Sequence, residues 1–212
     1  MLETRSLAAR RGFATLFQGL GFALAAGEAL VVSGPNGCGK TTLLRMLAGL
    51  SAPAEGEICW DGASVRPFDA KLREAVAFNG HLPALKDELT AFENLAAWTT
   101  LENERADAQA IDRALADVAL ARRARIPARA LSQGQRRRIG LARLSLSRRR
   151  LWILDEPLTA LDSDGVEVLE TLLAAHLEGG GLVVAASHQP LPVPAANLRP
   201  LDLATVPGGS HG

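Results

Sequence analysis

A glycine-rich loop near the start of the chain carries the clearest chemistry in the sequence. Residues 34–41 fit the pattern G-x-x-x-x-G-K-S/T, in which backbone N–H groups turn inward and hold phosphate oxygens. We expect Lys40 to reach the β- and γ-phosphates of a nucleotide and the Thr41 hydroxyl to ligate Mg²⁺. The candidate nucleotide ligands are Gly34, Pro35, Asn36, Gly37, Cys38, Gly39, Lys40, Thr41 and Thr42. An ordinary glycine-rich turn is the alternative, and the apolar strand before the loop and the helix after it argue against that interpretation.

Two adjacent carboxylates form the second candidate group. The apolar run Leu151–Leu154 predicts a buried strand of a parallel sheet, and Asp155 and Glu156 follow at its carboxyl end. Such a strand places acids beside a phosphate loop on the neighbouring strand. We expect Asp155 to hold Mg²⁺, directly or through water, and Glu156 to polarise the attacking water. Taken alone, these residues fit a solvated strand end equally well, but together with the loop they predict a P-loop nucleotide hydrolase.

The composition disfavours several other classes of function. The chain has 212 residues, of which 48% are apolar, and 23 basic residues balance 23 acidic ones. A neutral chain argues against a domain whose main ligand is a polyanion, and its hydrophobicity argues against disorder. The two cysteines form neither a disulfide framework nor a zinc motif. Only three residues are lysines, and the loop requires Lys40, because a compact ammonium suits it better than a planar guanidinium.

Strands alternate with helical patterns at both ends of the chain, which predicts an α/β fold with a mostly parallel core sheet and a helical insertion. Residues 1–33 fit short strands with turns. The predicted helices are Thr41–Ala48, Ala91–Leu101, Ala106–Leu120, Gln133–Ser147 and Val166–Leu177. The other predicted strands are Glu28–Ser33, Glu57–Trp60, Leu151–Leu154 and Leu182–Ser187. Residues 190–212 contain Pro and Gly but show little periodicity, so this stretch is expected to be a loose tail.

Two uncharged stretches could be mistaken for targeting or membrane segments. Gly12–Gly27 follows three arginines and resembles a signal peptide, but its alternating apolar residues fit strands better. Gly179–Leu198 is long enough to span a bilayer, but it contains His188, Gln189 and three prolines. We therefore expect no segment of this sequence to cross a membrane.

A third motif selects one family among the P-loop hydrolases. Leu131-Ser132-Gln133-Gly134-Gln135 resembles the LSGGQ signature of ATP-binding cassette (ABC) ATPases, with Gln133 at a position usually held by Gly. Arg136–Arg143 resembles the helix that follows the signature in that family. Ser132 and Gly134 at a helix N-terminus would offer a hydroxyl and backbone N–H groups to an anion. A solvated face, or one that binds nucleic acid, is the alternative for the arginine run.

The resemblance extends over residues 2 to about 191 and implies a P-loop NTPase fold of the ABC ATPase type. It implies an N-terminal antiparallel β subdomain, with residues 1–81 and 146–200 forming the catalytic core, 82–145 the helical signature subdomain and 201–212 the loose tail. Thr159–Asp162 resembles the D-loop, with Asp162 coupling two sites across a dimer, and His188 stands where the family has a γ-phosphate contact. The implied ligands are ATP and Mg²⁺. Two cassettes would sandwich two ATP molecules, each gripped by Ser132, Gln133, Gly134 and Gln135 of the other subunit.

Several stretches also resemble one subgroup, the ATP-binding subunits of bacterial haem exporters of cytochrome c maturation. They lie at residues 15–28, 80–95, 151–160 and 187–191. The resemblance implies a homodimer of cassettes, peripheral to the cytoplasmic face of the bacterial inner membrane. Integral membrane permease subunits would dock on about residues 82–130. The chain has no haem-ligand pattern and a balanced charge, so we expect it to bind neither haem directly nor nucleic acid.

Two positions depart from the family pattern, and other functions stay open. Leu82 stands where the family has a Gln that contacts the Mg²⁺ site and relays the nucleotide state to the membrane partner. A leucine cannot do this, so either His81 or water would take over part of the relay, or ATP hydrolysis would be coupled more weakly to the membrane partner. Replacing Leu82 with Gln should then raise ATPase activity or coupling. No Tyr is present to stack on adenine, which leaves Phe13 or an arginine. The alternatives are another transport substrate, an ABC ATPase acting on nucleic acid or ribosomes, and a small-molecule P-loop kinase, which would lack the signature.

Overall fold

The computed structural model describes residues 1–81, 83–102 and 107–208 of the chain. The strands are β1 Leu2–Arg11, β2 Ala14–Leu24, β3 Ala29–Ser33, β4 Glu55–Trp60, β5 Ala63–Val65, β6 Val76–Asn79, β7 Leu151–Asp155, β8 Leu182–Ala186 and β9 Leu198–Asp202. The helices are α1 Lys40–Leu47, α2 Ala70–Ala75, α3 Ala91–Leu101, α4 Ala108–Asp117, α5 Gln133–Leu146 and α6 Ser163–Glu178. The predicted α/β class is confirmed, and the five predicted helices correspond to α1 and α3–α6.

A parallel sheet positions the nucleotide motifs. Within the described residues its strand order is β6-β7-β8-β3-β9, and β3 pairs in parallel with β8 and β9. All five residues of β7 and of β8 are buried, which explains why both read as continuous apolar runs in the sequence. The phosphate loop follows β3, and Asp155 ends β7. The carboxyl ends of these strands lie at one edge of the sheet, where the two motifs meet.

An antiparallel sheet, ordered β2-β1-β4-β5, forms from the N-terminal residues. Its hairpin strands β1 and β2 have 10 and 11 residues and are longer than the short strands expected from the sequence. The glycines that interrupt the apolar pattern do not end β2. Gly19 adopts a φ of 70° where the pairing register shifts between Phe17–Ala9 and Leu20–Leu7, so it accommodates a bulge inside a continuous strand.

The chain divides into two compact units. The first comprises Met1–Phe78, Arg149–Pro157 and the described residues from His176 onward, and it contains both sheets apart from the last residue of β6. The second comprises the described residues of Asn79–Arg148 together with Leu158–Ala175. The sequence interpretation placed 158–175 in the catalytic core. The difference arises because most of α6 belongs with the helices rather than with the strands that flank it in sequence.

Side-chain caps fix the starts of the helices in the second unit. Thr90 Oγ1 accepts a hydrogen bond from the Glu93 N–H at 3.2 Å, and the Glu93 carboxylate accepts one from the Thr90 N–H at 2.8 Å, which forms a capping box at α3. Asp107 accepts a 2.7 Å bond from the Ala110 N–H at the start of α4. These caps satisfy N–H groups that have no partner inside the helix, and they place the start of α4 at Ala108, two residues later than the predicted Ala106.

Residues 198–208 are attached to the first unit, which corrects the expectation of a loose tail for them; the rest of the expected tail, residues 209–212, lies outside the described residues. β9 pairs with β3 from Leu198 to Asp202, and Leu203 is only 3% exposed. The Gln18 N–H donates to the Pro207 carbonyl at 2.8 Å, which attaches the segment to β2. Because β9 is an edge strand, Pro200 does not disrupt a ladder hydrogen bond on its outer side.

Both uncharged stretches contain strands in the structure. Residues 14–24 of the first stretch form β2, and the second stretch contains β8 followed by turns. None of the helices formed by the described residues has the length and apolar character needed to cross a bilayer.

Candidate functional site

The phosphate loop depends on glycine for its backbone shape. Gly34, Gly37 and Gly39 have φ values of 136°, 86° and 106°, which other residues rarely adopt. A side chain at Gly34 would place its Cβ 2.8 Å from Cys38 Sγ. At Gly39 a Cβ would lie 3.2 Å from the ring of Phe17, which is fully buried. The loop is therefore shaped both by its own torsion angles and by the strand β2 packed behind it.

Lys40 begins α1 and points its ammonium group back into the loop. Its Nζ donates to the carbonyl oxygens of Gly34 at 2.7 Å and Pro35 at 3.2 Å, and the residue is 9% exposed. A buried ammonium group needs such acceptors, because an unpaired buried charge is costly. Phosphate oxygens are stronger acceptors than carbonyls. The side chain is thus held where it can exchange these carbonyls for an anionic ligand.

Thr41 and Asp155 form a pair of oxygen ligands suited to a hard cation. The Thr41 Oγ1 donates to Asp155 Oδ2 at 3.0 Å, and Asp155 is 4% exposed. Mg²⁺ is usually held by one or two protein oxygens together with substrate phosphates and water. A hydroxyl and a buried carboxylate beside a phosphate loop are that set of donors, so the residues present fit Mg²⁺.

Glu156 and His188 follow the neighbouring strands β7 and β8 and face each other. Glu156 Oε1 lies 3.5 Å from His188 Nε2, and the two side chains are 19% and 52% exposed. Glu156 has a φ of 52°, and its N–H donates to the Ala186 carbonyl at 2.9 Å. A left-handed non-glycine residue costs of order 1–3 kcal/mol and persists only where its surroundings fix it. This conformation places a carboxylate beside an accessible imidazole at the sheet edge.

The signature segment forms the capped N-terminus of α5. Ser132 Oγ accepts a hydrogen bond from the Gln135 N–H at 3.2 Å, and the Gln135 side chain accepts one from the Ser132 N–H at 3.0 Å. This capping box fixes Ser132 and Gln135 relative to each other. The N–H groups of Gln133 and Gly134 belong to the first turn and carry the positive end of the helix dipole.

A polar cleft of about 280 Å³ lies beside the signature segment in the second unit. Its lining includes Ser132, Gly134, Gln135, Ala160 and Asp162. Asp162 Oδ1 accepts hydrogen bonds from Arg138 Nη2 at 2.5 Å and from the Gly165 N–H at 3.1 Å. These two bonds, the one from Arg138 foremost, lower the pKa of the Asp162 carboxyl. The segment expected to be the D-loop is thus ordered against α5.

The structure brings the predicted site residues together in two groups. Residues 34–42, Asp155, Glu156 and His188 belong to the first unit, and residues 132–135 and Asp162 belong to the second. Leu82 lies outside the described residues. Phe13, the candidate for stacking on adenine, is fully exposed at the turn between β1 and β2, and Arg10 pairs with Glu55 at 2.9 Å.

One site residue was missed by the sequence interpretation. The run Arg136–Arg138 fits a solvated face, yet Arg138 is only 7% exposed and bonds to Asp162. Helical spacing is the signal that could have found it, because Arg138 lies four residues after Gly134 and therefore on the same face of α5.

Comparisons with known proteins agree with this geometry. A family model described as ABC transporter matches residues 17–159. Cytochrome c biogenesis ATP-binding export protein CcmA 2 of Cupriavidus metallidurans is 50% identical over 208 residues, which cover 98% of this chain and 97% of that protein. The CcmA protein of Nitrosomonas europaea is 46% identical, over 96% of both chains. A solved dimer of the ATP-binding cassette MJ0796, in a post-hydrolysis state bound to ADP and Pi, is 26% identical with a TM-score of 0.78 and covers 89% of this chain and 88% of that chain.

Proposed function

The chain belongs to the ABC transporter family and is an ATP-hydrolysing transporter subunit, and we propose that its complex exports haem for cytochrome c biogenesis. The observation that carries the ATPase part is the set of paired groups at one sheet edge: Lys40 in its loop, Thr41 with Asp155, and Glu156 with His188. The export part is supported by relatives named for cytochrome c biogenesis export that match nearly the whole chain.

The residues of the first unit divide the hydrolytic work among them. Lys40 and the N–H groups of the loop bind the β- and γ-phosphates of ATP, and the start of α1 adds its positive dipole. Thr41 and Asp155 would hold Mg²⁺, which when bound neutralises charge on the phosphate oxygens. Glu156 orients and polarises the attacking water and accepts its proton, while His188 contacts the γ-phosphate. The 3.5 Å approach of Glu156 Oε1 to His188 Nε2 supports roles for both groups at the same phosphate.

The second unit serves the ATP of another copy in this proposal. The first turn of α5, Ser132–Gln135, would contact the γ-phosphate bound to the partner subunit, and Asp162 would couple the two sites. A homodimer of cassettes would then close on ATP and reopen after hydrolysis. Integral membrane permease subunits would bind on about residues 82–130 and place the chain at the cytoplasmic face of the inner membrane. Haem would be handled by those subunits and not by this chain.

Replacing Glu156 with Gln tests the hydrolytic assignment. Glu156→Gln keeps the size of the side chain but cannot accept a proton, so turnover should fall by about 10²–10⁴-fold while ATP still binds. Hydrolysis is measured as phosphate release and binding with a fluorescent ATP analogue. Glu170→Gln, on the exposed face of α6, is the matched control and should retain full turnover. Normal hydrolysis by Glu156→Gln would show that another group activates the water.

Export is tested in the bacterium from which the gene comes. A deletion strain should lose periplasmic c-type cytochromes that carry covalently attached haem. The wild-type gene should restore them, whereas Glu156→Gln should not. The tagged chain should also purify from membranes with a partner that has several membrane spans. Normal cytochrome c assembly in the Glu156→Gln strain would contradict the export proposal without affecting the ATPase assignment.

A further inference from the structure

Arg138 lies where three helices of the second unit meet. It is in the second turn of α5, and its side chain is almost fully buried, with 9% exposure. Nη1 donates to the Val118 carbonyl at 3.1 Å, and Nη2 donates to Asp162 Oδ1 at 2.5 Å. Val118 is the residue at which α4 ends. One guanidinium therefore caps the C-terminus of α4 and binds the residue that precedes α6.

Asp162 is itself the N-terminal cap of α6. Its Oδ1 accepts the Gly165 N–H at 3.1 Å, which satisfies a first-turn donor of that helix. The bond from Arg138 reaches the same oxygen, so the position of the α6 start is linked to α5 through one carboxylate. A planar guanidinium can serve Val118 and Asp162 at once, because its donors point in fixed and divergent directions.

A second contact holds the same segment against α5. A Cβ at Gly134 would lie 3.0 Å from the Ala160 carbonyl oxygen, so any other residue there would press on this carbonyl and glycine favours the close approach. Ala160 has a φ of 61°, a conformation that an alanine adopts only where its surroundings fix it. Gly134 and Arg138 are one helical turn apart on one face of α5. Residues 160–162 are thus attached to the signature helix at two points.

The energetics of the Arg138–Asp162 pair make it hard to separate. Arg138 is buried, whereas the Asp162 side chain is 67% exposed. If Asp162 moved away, the buried guanidinium would keep one hydrogen-bond acceptor among the described residues, the Val118 carbonyl. An incompletely paired buried charge is far more costly than an exposed one. The pair therefore favours a single arrangement of residues 160–162 relative to Ser132–Gln135.

We propose that Arg138 is a positioning residue that fixes the segment Thr159–Asp162 to the signature helix, so that both meet the second copy of the chain as one rigid surface. This inference rests on the proposed function, because it needs a second copy whose ATP the signature contacts. Arg138 does not touch the substrate in this account. It acts through Asp162 and through the orientation of α5.

The test compares Arg138→Gln with Arg136→Gln in the full chain. Arg136 is on the same helix but pairs with Asp87 at 2.6 Å, so it is a matched control that leaves residues 160–162 untouched. Arg138→Gln should lower kcat by about tenfold to hundredfold, since small misplacements of catalytic surfaces have effects of this size. Binding of fluorescent ATP to the phosphate loop should stay within about twofold of wild type. Arg136→Gln should resemble wild type in both measurements.

Three further measurements separate positioning from a general loss of stability. In the Glu156→Gln background, ATP-driven dimerisation should be lost with Arg138→Gln and kept with Arg136→Gln. Arg138→Lys should recover part of kcat, because it keeps a charge beside Asp162 but cannot also serve Val118. The double variant Arg138→Gln with Asp162→Asn should be within about twofold of the worse single variant, because the pair is already broken.

The outcomes distinguish this inference from the proposed function. If wild type hydrolyses ATP and Arg138→Gln behaves like Arg136→Gln, the positioning role is overturned and the ATPase stands. Independent, multiplying effects of Arg138→Gln and Asp162→Asn would also overturn it. If wild type does not hydrolyse ATP, both proposals fail. If Arg138→Gln does not fold, Arg138→Lys decides, since it keeps the buried charge: a kcat below that of wild type with unchanged ATP binding is expected, and a kcat equal to that of wild type would overturn the positioning role.

Discussion

The phosphate-loop region of the first unit and the signature region of the second differ in how their polar groups are satisfied. In the first region Lys40 and Asp155 are 9% and 4% exposed, and their bonds to the loop carbonyls and to Thr41 are already made. In the second region the Asp162 side chain is 67% exposed and the cleft is open to solvent. The polar groups of the first region are therefore paired within the chain. The second region presents a charged group and a cleft to solvent, which agrees with its proposed place as half of a shared site.

The glycines of the two regions serve different purposes. Gly34, Gly37 and Gly39 adopt positive φ angles, so they give the phosphate loop its inward-facing backbone. Gly134 is needed because the Ala160 carbonyl approaches it closely. One region therefore uses glycine to surround a ligand, and the other uses it to bring two segments of the protein together.

The largest expected effect comes from removing the ammonium group of the first region. Lys40→Ala should weaken ATP binding by about tenfold to hundredfold, because it removes charged hydrogen bonds to phosphate worth about 1.5–3 kcal/mol. Hydrolysis should be lost with it. Lys71→Ala, on the exposed surface of α2, is the control and should bind ATP normally. Titration with a fluorescent ATP analogue measures the affinity of both variants. If Lys40→Ala bound ATP as tightly as Lys71→Ala, the two regions would not differ in their contribution to ATP binding.

A smaller and more selective effect is expected in the second region. Gly134→Ala would push a methyl group toward the Ala160 carbonyl, so kcat should fall by about tenfold while ATP affinity stays unchanged. Gly140→Ala is the control on the same helix, because its Cβ would meet the side-chain amide of Asn79, which can rotate away. Weaker ATP binding by Gly134→Ala would mean that the two regions do not have separate roles.

The fold could be predicted where the sequence pattern follows from burial. β7 and β8 are buried on all sides and read as apolar runs, and α3 begins at a capping box that the sequence spells out. β9 was not predicted because an edge strand can contain polar residues and proline. Arg199 and Pro200 therefore remove the apolar pattern by which a strand is recognised in a sequence. The length of β2 was missed because a glycine bulge inside a strand looks like a strand end.

The candidate site likewise contains one part that the local sequence pattern predicts and one part that depends on tertiary packing. The phosphate loop is contiguous and uses residue types that only its chemistry requires, so the loop and its glycine-dependent shape could be predicted from the sequence. Arg138 and Asp162 are 24 residues apart in sequence and meet only through the packing of α5 against the start of α6. Arg137 and Arg138 are both buried, and the run of three arginines does not by itself show that Arg138 is the one that pairs with Asp162. Pairings of this kind depend on tertiary packing, and local pattern does not encode them.

The smallest predicted effect is on the pH dependence of stability, and it concerns the packing of His176 against β7 in the first unit. The His176 ring stacks on Trp152 of β7 with centroids 3.9 Å apart, and burial lowers the pKa of His176. The unfolded chain therefore binds a proton at His176 more readily than the folded chain does. The free energy of unfolding should decline as the pH falls below the ordinary histidine pKa of about 6.5. His176→Phe keeps a stacked ring without a titrating group. Its thermal midpoint should depend less on pH between about 7 and 5 than that of wild type. If the thermal midpoints of the two proteins changed equally with pH, His176 would not contribute to the pH dependence of stability.

The most direct test of the account is the mass of the Glu156→Gln chain in solution with and without Mg-ATP, measured by sedimentation. The account predicts a monomer without nucleotide and a doubled mass with Mg-ATP, because the phosphate loop of each copy holds an ATP that the signature segment of the other completes. Adding Gly134→Ala should return the mass to that of the monomer while ATP remains bound. A chain that binds ATP and stays monomeric, or a dimer that is indifferent to Gly134→Ala, would contradict the claim that the two regions form one shared site.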